Sequence, residues 1–564
     1  MVNASLRFIL LLSIILVFSD LSAQVIAVSH ENGFHGQDFK LNLACESCDE
    51  IWFSIDGEDP KLGTKYDSPI SISKDLVKGN SIALIPTTII PNVGKGETWH
   101  NWLKPESYEK AVSIKIGGYL QGELITPFTY RTFFFEKDWA DFPTVSLNIE
   151  PNDLFDDSTG LFVPGVNVKE GNSIWTGNYH MKGKNWERPV HLTFLEQEKT
   201  LQDLDLGMRV HGLKAGSAPQ KSIRLYARKK YGAKSLTYEF EKGESKKHKR
   251  LLLRTPYSVH SSKIISDVVA MELARSLDLD FMDYGFTRTF INGEYWGLHA
   301  VRERVDERYL MEHYDVKKEN LLIPGNYSQP EFQNIFNIID SNDMSLLNGF
   351  EKISQVLDLS NFTDYVICET YFRNTDWLQK NNNVTFWKEK GKGKWRLILI
   401  DMDACFQKPE NDMIDFMKQE QASMISRIFF ELIKNEKYKT SFAARYSELL
   451  LADLSPKNCF HVIDSIAGLI EPEMSKHIER WGHPTSVFDW KQDLDNMRDF
   501  INTRSQLIGK ELEKHFDVDV SEMNNVETEF FISQDKKIIG IGSITLALVI
   551  GLLLYRRRRK RKRK

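Results

Sequence analysis

Short apolar runs separated by turn residues fill the N-terminal part of the chain, from residue 26 to about residue 136. Apolar and polar positions alternate in segments such as FKLNLA, EIWFSID and SPISIS, and Gly, Asp and Pro lie between them. This period of two is typical of short antiparallel strands. We therefore predict an all-β sandwich module over residues 24–136.

Longer strands mixed with helices follow from residue 142 onward. Residues 207–213 and 221–227 alternate like two paired strands. Residues 286–291 and 295–301 flank Asn292-Gly293, a pair that favours a two-residue hairpin turn. This part of the chain is thus predicted to contain antiparallel sheet.

Helical spacing dominates the later part of the chain. Residues 265–277 and 362–372 repeat apolar positions on one helical face, whereas residues 395–400 form a continuous apolar run of strand length. After about residue 420 the pattern is mostly amphipathic helix to residue 516. We predict one α+β domain over residues 142–516.

Both ends of the chain carry apolar runs. FILLLSIILVF, residues 8–18, precedes Leu21-Ser22-Ala23, which predicts a signal peptide over residues 1–23 and export of the rest. Residues 538–555 contain no charged side chain, and as a helix they would be long enough to span a bilayer. They follow a polar linker, residues 517–537.

The basic tail, residues 556–564, reads RRRRKRKRK and follows the second apolar run directly. Cations at this position favour a cytoplasmic tail. We therefore predict a single-pass protein of the cell membrane, anchored through one C-terminal transmembrane helix, with the bulk of the chain extracytoplasmic. A sorting signal that is later removed would have the same pattern.

Length and charge predict the number of domains and argue against one class of partner. The 564 residues predict three to four domains at about 150 residues each. The formal charge is −5 although the tail alone contributes nine cations, so the rest of the chain is distinctly acidic. Because a phosphate backbone attracts a basic face, we expect no nucleic-acid partner.

The five cysteines do not form a disulfide framework. Cys45 and Cys48 favour a local disulfide in an exported chain, and no second such pair exists to complete a zinc site. Cys368, Cys405 and Cys459 lie in apolar surroundings and are predicted to be buried free thiols.

Acids and amides are concentrated in CETYFRNTDWLQKNNNVTFWKEKGKGKWRLILIDMDACF, residues 368–406. Asp376 precedes Asn381 by five residues, the spacing of the catalytic Asp and the metal-binding Asn in the kinase catalytic loop. Asp401 ends a buried strand, where a carboxylate requires Mg²⁺ or a cage of hydrogen-bond donors. Asp403 would face the same way as Asp401 if the strand continued.

A phosphate-binding group would have to come from upstream. The turn KAGSAPQKS offers small residues, through which backbone amides can approach an anion, and Lys221 adds a positive charge at its exit. A lysine that simply faces solvent is the alternative interpretation. Glu303, directly after the predicted hairpin, can pair with this lysine, although an exposed ion pair would have the same sequence pattern.

Five blocks in order carry a family resemblance: FPTVSLNIEPNDLFDDSTGLFVPG, GMRVHGLKAGSAPQKSIRL, INGEYWGLHAVRERVDERYL, ETYFRNTDWLQKNNN and WRLILIDMDACF. From about residue 142 to about residue 515 the chain resembles the CotH kinase family, the spore coat protein H group of atypical protein kinases. The resemblance implies a divergent kinase-like fold that uses ATP and Mg²⁺ to phosphorylate Ser or Thr of protein substrates, here exported or envelope proteins.

The same resemblance implies roles for individual residues. Asp376 would be the catalytic acid, Asn381 and Asp401 the metal ligands, and Lys221 the phosphate-contacting lysine, with Glu303 as its partner. The expected fold class is therefore α+β: a divergent protein-kinase-like domain, preceded by the β-sandwich and followed by the transmembrane helix.

The N-terminal module has a resemblance of its own. ENGFHGQDFKLNL and IWFSIDGEDPKLGTKYDSPISI resemble the chitobiase-type β-sandwich module often appended to exported proteins. Contact with a glycan through Trp52 or Trp99 is one interpretation, and a place in the sandwich core is the more usual one for an aromatic side chain.

Two other function classes compete with the kinase. A surface or envelope binding scaffold, contacting a glycan or a protein, would have the same fold without catalysis. A glycoside hydrolase is suggested only by the chitobiase-like module. Retention of acids or amides at positions 376, 381 and 401 favours the kinase.

Overall fold

The computed structural model of the protein describes most of residues 25–517. The described ranges are 25–77, 81–88, 102–136, 141–170, 172, 174–197, 199–240, 246–255, 264–324, 327–378 and 383–517. The predicted signal peptide, transmembrane helix and basic tail, and nearly all of the predicted linker, lie outside them.

The chain divides into two compact units, which we call the β unit and the helical unit. The β unit contains the chain up to Ile264 together with Asp283–Arg304 and Gly468–Lys491. The helical unit contains Ile265–Met282, Val305–Ala467 and the chain from Gln492. Each unit is described separately below.

The N-terminal part of the β unit is built from short strands. They are β1 Ala27–Val28, β2 Gly33–Phe34, β3 Phe39–Leu41, β4 Leu43–Ala44, β5 Glu50–Ser54, β6 Thr64–Lys65, β7 Ile70–Ile72, β8 Val112–Leu120, β9 Glu123–Leu124 and β10 Thr129–Phe134. The main sheet has the order β2-β10-β8-β5-β6, and β1-β4 and β3-β7 form separate pairs. Alternate apolar residues such as Leu41, Ile72 and Ile114 are fully buried in the core of this module.

A closed barrel forms the rest of the β unit. Its strands are β11 Thr144–Asn148, β12 Arg188–Glu196, β13 Lys199–His211, β14 Ser222–Tyr226, β17 Arg250–Arg254, β19 Tyr284–Ile291 and β20 Glu294–Arg302, with β15 Leu236–Tyr238 and β16 Lys246–His248 as a separate hairpin and α1 Pro151–Phe155 after β11. Parallel pairing of β11 with β19 closes the barrel, and its other neighbouring strands are antiparallel.

The predicted hairpin at Asn292-Gly293 is confirmed. Both residues have positive φ, +48° and +80°, as a tight turn between antiparallel strands requires. A side chain at Gly293 would meet the Ala111 carbonyl oxygen at 2.4 Å. Asn292 Nδ2 donates to the backbone oxygens of Asp56 and Ile149, so the turn also contacts the N-terminal module.

The helical unit combines helices with one small sheet. Its helices are α2 Ser266–Leu273, α3 Glu307–Tyr314, α4 Pro330–Ser341, α5 Leu347–Val356, α6 Leu359–Tyr371, α7 Met413–Gln419, α8 Met424–Leu432 and α9 Glu436–Leu451. Two long helices follow, and each has residues in both units: α10 Pro456–Trp481 and α11 Val487–Phe516. The sheet has the order β18-β23-β22-β21, formed by β18 Asp280–Phe281, β21 Leu321–Leu322, β22 Thr385–Glu389 and β23 Arg396–Leu399. The predicted helix at 362–372 and the predicted strand at 395–400 are α6 and β23.

The fold class needs one correction. Among the described residues, no helix is both long and apolar enough to cross a bilayer. The long helices α10 and α11 carry charged side chains throughout, which hydrocarbon would exclude. Residues 538–555 lie outside the described part. We therefore withdraw the transmembrane helix and the single-pass membrane localisation, and the fold is α+β with a β-rich N-terminal and a helical C-terminal part.

Candidate functional site

The acid-rich stretch lies in the helical unit, where α6 ends and a loop begins. Helix α6 is buried along its whole length. Phe372 caps its C-terminus, and Arg373 turns the chain with φ +55°. This turn brings the next residue, Asn374, back under the helix, where it is fully buried.

Asn374 links the two acids that the sequence singles out. Its Oδ1 accepts a hydrogen bond from the Asp376 backbone N–H at 3.1 Å, and its Nδ2 donates to the Asp401 carbonyl oxygen at 3.4 Å. One buried amide thus holds the loop after α6 against the segment after β23. Asn374 thus links the backbones of Asp376 and Asp401.

Asp401 has a strained backbone. It lies two residues after β23 with φ +56°, a conformation that costs free energy for a residue with a side chain. The following amide, of Met402, donates to Asp267 Oδ1 at 3.0 Å. Backbone strain of this kind is found at functional sites, where the surrounding structure holds it in place.

Asp403 was predicted to face the same way as Asp401 if the strand continued past Asp401, and this condition is not met. A 3₁₀ turn over Met402–Ala404 follows Asp401 directly, so the strand does not continue and side chains no longer alternate. Asp403 therefore does not repeat the direction of Asp401.

Asp376 is half-buried in the loop after α6. Asn383 Nδ2 donates to its backbone oxygen at 2.7 Å and to its Oδ2 at 3.2 Å. The carboxylate is therefore held by the side-chain amide of Asn383, two residues before β22. Asn381 lies outside the described residues.

Glu369 is a buried acid of this region that the sequence analysis did not single out. It lies on α6, is fully buried, and burial raises its pKa to about 8, with a smaller contribution from the Asp401 charge. The Tyr365 hydroxyl and the Asn374 amide oppose this rise, but neither makes a hydrogen bond of ordinary geometry to its carboxyl oxygens. The sequence feature that could have indicated this residue is an acid inside an apolar helical segment, five residues before Asn374.

Lys221 belongs to the β unit, just before β14. Its side chain is fully buried, and Nζ lies 4.1 Å from the centroid of the Tyr179 ring. Among the described residues Nζ has no hydrogen-bond partner. Burial lowers the pKa of this amine well below its usual value. The alternative of a solvent-facing lysine is excluded.

Glu303 is also buried in the β unit, one residue after β20. Its Oε2 accepts from the Asp283 backbone N–H at 3.4 Å. Since Lys221 Nζ has no hydrogen-bond partner in the described part of the chain, Glu303 does not accept a hydrogen bond from it there.

A second acidic cluster lies elsewhere in the helical unit. Asp412, Asp415 and His515 offer ligand atoms within 4.8 Å of one another. Lys514 Nζ contacts Asp412 at 3.0 Å and Asp415 at 2.6 Å, and His515 Nε2 lies 2.6 Å from Asp412. This lysine already neutralises the carboxylates, so an ion-pair network explains the cluster.

The aromatic surface of the N-terminal module is covered. Lys61 Nζ lies 4.6 Å from the Trp52 ring centroid and 4.3 Å from that of Tyr119, and it also pairs with Glu50 at 2.6 Å. A sugar stacking on Trp52 would have to displace this lysine. Trp99 lies outside the described residues. The predicted disulfide between Cys45 and Cys48 is formed.

A comparison with known families gives a match. The family described as CotH kinase protein matches residues 208–508, more than half of the chain. The chain belongs to the CotH kinase family. The match includes Lys221, Glu303, Asp376 and Asp401, and it begins inside strand β13 of the barrel. The family assignment supports a kinase-like enzyme.

A comparison with curated proteins finds no match to this chain.

Proposed function

We propose that this CotH-family chain is a protein kinase that transfers the terminal phosphoryl group of ATP to Ser or Thr side chains of a protein substrate, with Mg²⁺ as cofactor. The observation that carries the proposal is Asn374, a buried amide that joins Asp376 and Asp401 although the two acids are 25 residues apart in the sequence. A non-catalytic binding protein would not require a link between these two acids or the strained backbone of Asp401.

The residues present fit a magnesium nucleotide. Carboxylate and amide oxygens, which Asp401 and Asn381 supply, are the donors that Mg²⁺ prefers. Lys221 offers a buried amine that lacks a hydrogen-bond partner among the described residues, as expected for a group whose anionic partner is a ligand. When bound, Mg·ATP supplies the phosphoryl group and neutralises charge on its oxygens.

In this proposal Asp376 orients the acceptor hydroxyl and takes up its proton. Its Oδ2 accepts a hydrogen bond from Asn383, which fixes the orientation of the carboxylate. Positioning of this kind contributes more to phosphoryl transfer than covalent chemistry by the protein.

Lys221 would contact the phosphates. Burial lowers its pKa, and a polyanion bound next to Nζ would favour the protonated form and attract it. Glu303, buried beside the end of β20, would fix the position of this lysine once it is charged. Both residues therefore act on binding and orientation rather than on proton transfer.

The decisive experiment removes one carboxylate and keeps its shape. We expect Asp401→Asn to lower phosphate transfer from labelled ATP by at least about a hundredfold, since a charged metal ligand is lost, while the melting temperature changes little. The matched control is Asp403→Asn, two residues further on, which should retain transfer. Equal incorporation by parent and Asp401→Asn would contradict the proposal.

Ligand binding separates the kinase from the scaffold. Mg·ATP at a hundred times its dissociation constant should stabilise the parent by about 2.7 kcal/mol in thermal unfolding. Lys221→Met should reduce this shift because it removes the phosphate contact. A melting temperature that no nucleotide changes would favour the scaffold.

A further inference from the structure

The face of the barrel opposite to Lys221 carries a group of arginines. On strand β14, Ile223 and Leu225 point into the barrel core, and Lys221 has the same parity. Arg224 and Tyr226 point to the other face, where Arg224 is half-buried. This face is therefore separate from the proposed phosphate-contacting lysine.

Tyr226 is the centre of the group. The guanidinium carbons of Arg209, Arg228 and Arg250 lie 5.7, 4.9 and 5.9 Å from its ring centroid. Arg228 also pairs with Glu187 at 2.8 Å, which supplies one carboxylate at the edge of the group. The ring thus holds three guanidinium groups in fixed positions.

Like charges face each other at the centre of this surface. Arg209 lies directly opposite Arg224 on the antiparallel strands β13 and β14, and Arg250 lies opposite Tyr226 on β17. Directly opposed like charges destabilise a sheet. Arg209 and Arg224 form no ion pair with a carboxylate in the described part of the chain, and the buried Arg224 Nε lacks a hydrogen-bond partner there.

His211 adds to this picture from the end of β13. Its Nδ1 is bonded to an Arg224 Nη atom, so the ring is neutral and acts as the acceptor. Burial lowers the pKa of His211 well below its usual value, and the charges of Arg224, Arg254, Arg304 and Arg209 lower it further. Positive charge therefore converges here, in a chain whose total charge is −5.

We propose that this arginine face, formed by Arg209, Arg224, Arg228 and Arg250 around Tyr226, binds a phosphorylated segment of a protein partner. A phosphate group carries close to two negative charges and three acceptor oxygens, and the planar guanidinium fork matches it in two parallel hydrogen bonds. In one respect the inference rests on the proposed function: the partner is taken to be a substrate of the kinase that already bears one phosphate.

A discrete phosphate fits these residues better than a membrane surface. Arg209 and Arg224 are half-buried and lie directly opposite each other on β13 and β14, and the Tyr226 ring next to Arg209 is buried, so both side chains start from neighbouring, fixed positions. Membrane recognition through anionic lipids is typical of exposed, mobile cations on a polar surface. The acidic balance of the chain also disfavours nucleic acid.

The test is a binding measurement on the full chain. Fluorescence anisotropy would compare a short labelled peptide carrying one phosphoserine with its unphosphorylated counterpart. We expect the phosphopeptide to bind at least about tenfold more tightly, and Arg209→Gln/Arg224→Gln to abolish the difference, because charge-assisted hydrogen bonds are lost. Arg209→Lys/Arg224→Lys should keep the fold and part of the affinity.

The matched control, Arg308→Gln/Arg427→Gln, removes two exposed arginines from helices outside this face and should leave the preference intact. Equal binding of both peptides, or a preference that survives Arg209→Gln/Arg224→Gln, would overturn the inference. Arginine-dependent displacement of the phosphopeptide by phosphatidylserine vesicles would replace it with a membrane surface. Displacement by stoichiometric Mg·ATP would assign the face to the nucleotide.

The experiments distinguish a chain that lacks kinase activity from one that does not bind the phosphopeptide. A parent chain that binds the phosphopeptide but transfers no phosphate would contradict the kinase and leave the arginine face in place. Conversely, Arg209→Gln/Arg224→Gln should retain transfer to an unphosphorylated substrate, because neither residue belongs to the proposed catalytic group.

Discussion

At the scale of single residues, the region around Asn374 contains both destabilising features and hydrogen bonds that stabilise the fold. Asp401 takes a left-handed backbone conformation and Glu369 is an acid buried in helix α6, and both are costly. The hydrogen bonds of Asn374 to Asp376 and Asp401 offset part of this cost. Such local instability is expected where residues are arranged for function rather than for stability.

Glu369 allows a prediction about pH. Its pKa in the folded chain is raised to about 8 from an ordinary value of 4.5, so the folded state binds the proton more tightly than the unfolded state. The resulting stability is present below pH 4.5 and is lost as the pH rises from 4.5 towards 8, by a few kcal/mol in total. Urea unfolding of the parent and of Glu369→Gln at several pH values measures this loss.

We expect Glu369→Gln to gain stability relative to the parent as the pH rises from 5 to 8, because the amide does not titrate. Glu351→Gln, an exposed position on helix α5, is the control and should follow the parent at every pH. A stability difference between parent and Glu369→Gln that is constant over this range would refute the assignment.

At the scale of elements, one arginine joins the small sheet of the helical unit to helix α6. Arg396, at the start of β23, contacts Asp278 at 2.9 Å, Asp280 at 3.3 Å and Asp358 at 2.6 Å. Asp280 begins β18 and Asp358 caps α6, so the arginine fixes β18, β23 and α6 relative to one another. These are the elements on which Asp376 and Asp401 depend.

Removing that arginine should therefore weaken the whole helical unit. We expect Arg396→Met to lower the free energy of unfolding by about 3–5 kcal/mol, because the buried Asp280 and two half-buried carboxylates lose their cation. Arg427→Met, which breaks the exposed pair with Asp340, should cost no more than about 1 kcal/mol. Chemical denaturation followed by circular dichroism measures both, and similar losses would contradict the role given to Arg396.

At the scale of the whole molecule, the N-terminal module is part of the β unit rather than a separate appendage. Glu294 on β20 accepts hydrogen bonds from Ser81 Oγ at 2.6 Å, from the Ile82 N–H at 3.2 Å and from the Ala83 N–H at 2.8 Å. Thr132 and Ser146 join β10 to β11 at 2.8 Å. The module and the barrel should unfold together.

Glu294→Ala tests this coupling. It leaves buried donors without an acceptor, so we expect a loss of about 2–4 kcal/mol and parallel loss of hydrogen-exchange protection in the N-terminal sheet and the barrel. Glu123→Ala, at an exposed position on β9, should change neither. Loss of protection confined to residues 81–84 would show that the module folds by itself.

Much of the local structure could be predicted from the sequence. Alternation predicted the pairing of β13 with β14, and Asn292-Gly293 predicted the hairpin between β19 and β20, because both signals depend on neighbouring residues. The buried free thiols and the Cys45–Cys48 disulfide were predicted from spacing and surroundings and are confirmed. The family was predicted from five ordered blocks and is confirmed over residues 208–508.

The candidate site could be predicted only in part. Asp376 and Asp401 were predicted from local composition, but Asn374, which joins them, was not, since a single asparagine in a polar loop has no distinctive signal. The direction predicted for Asp403 required the strand to continue, and the left-handed residue Asp401 and the 3₁₀ turn after it end the alternation.

The β13–β14 pairing, the β19–β20 hairpin, helix α6, strand β23 and the family could all be predicted from the sequence, because each depends on residue types and spacings within short stretches of chain. Three features are visible only in the folded chain: β11 pairs in parallel with β19 and closes a barrel, Lys221 is buried, and Arg209 lies opposite Arg224. These features arise where distant segments meet, and the free energy of such contacts depends on topology and burial, which no local pattern contains.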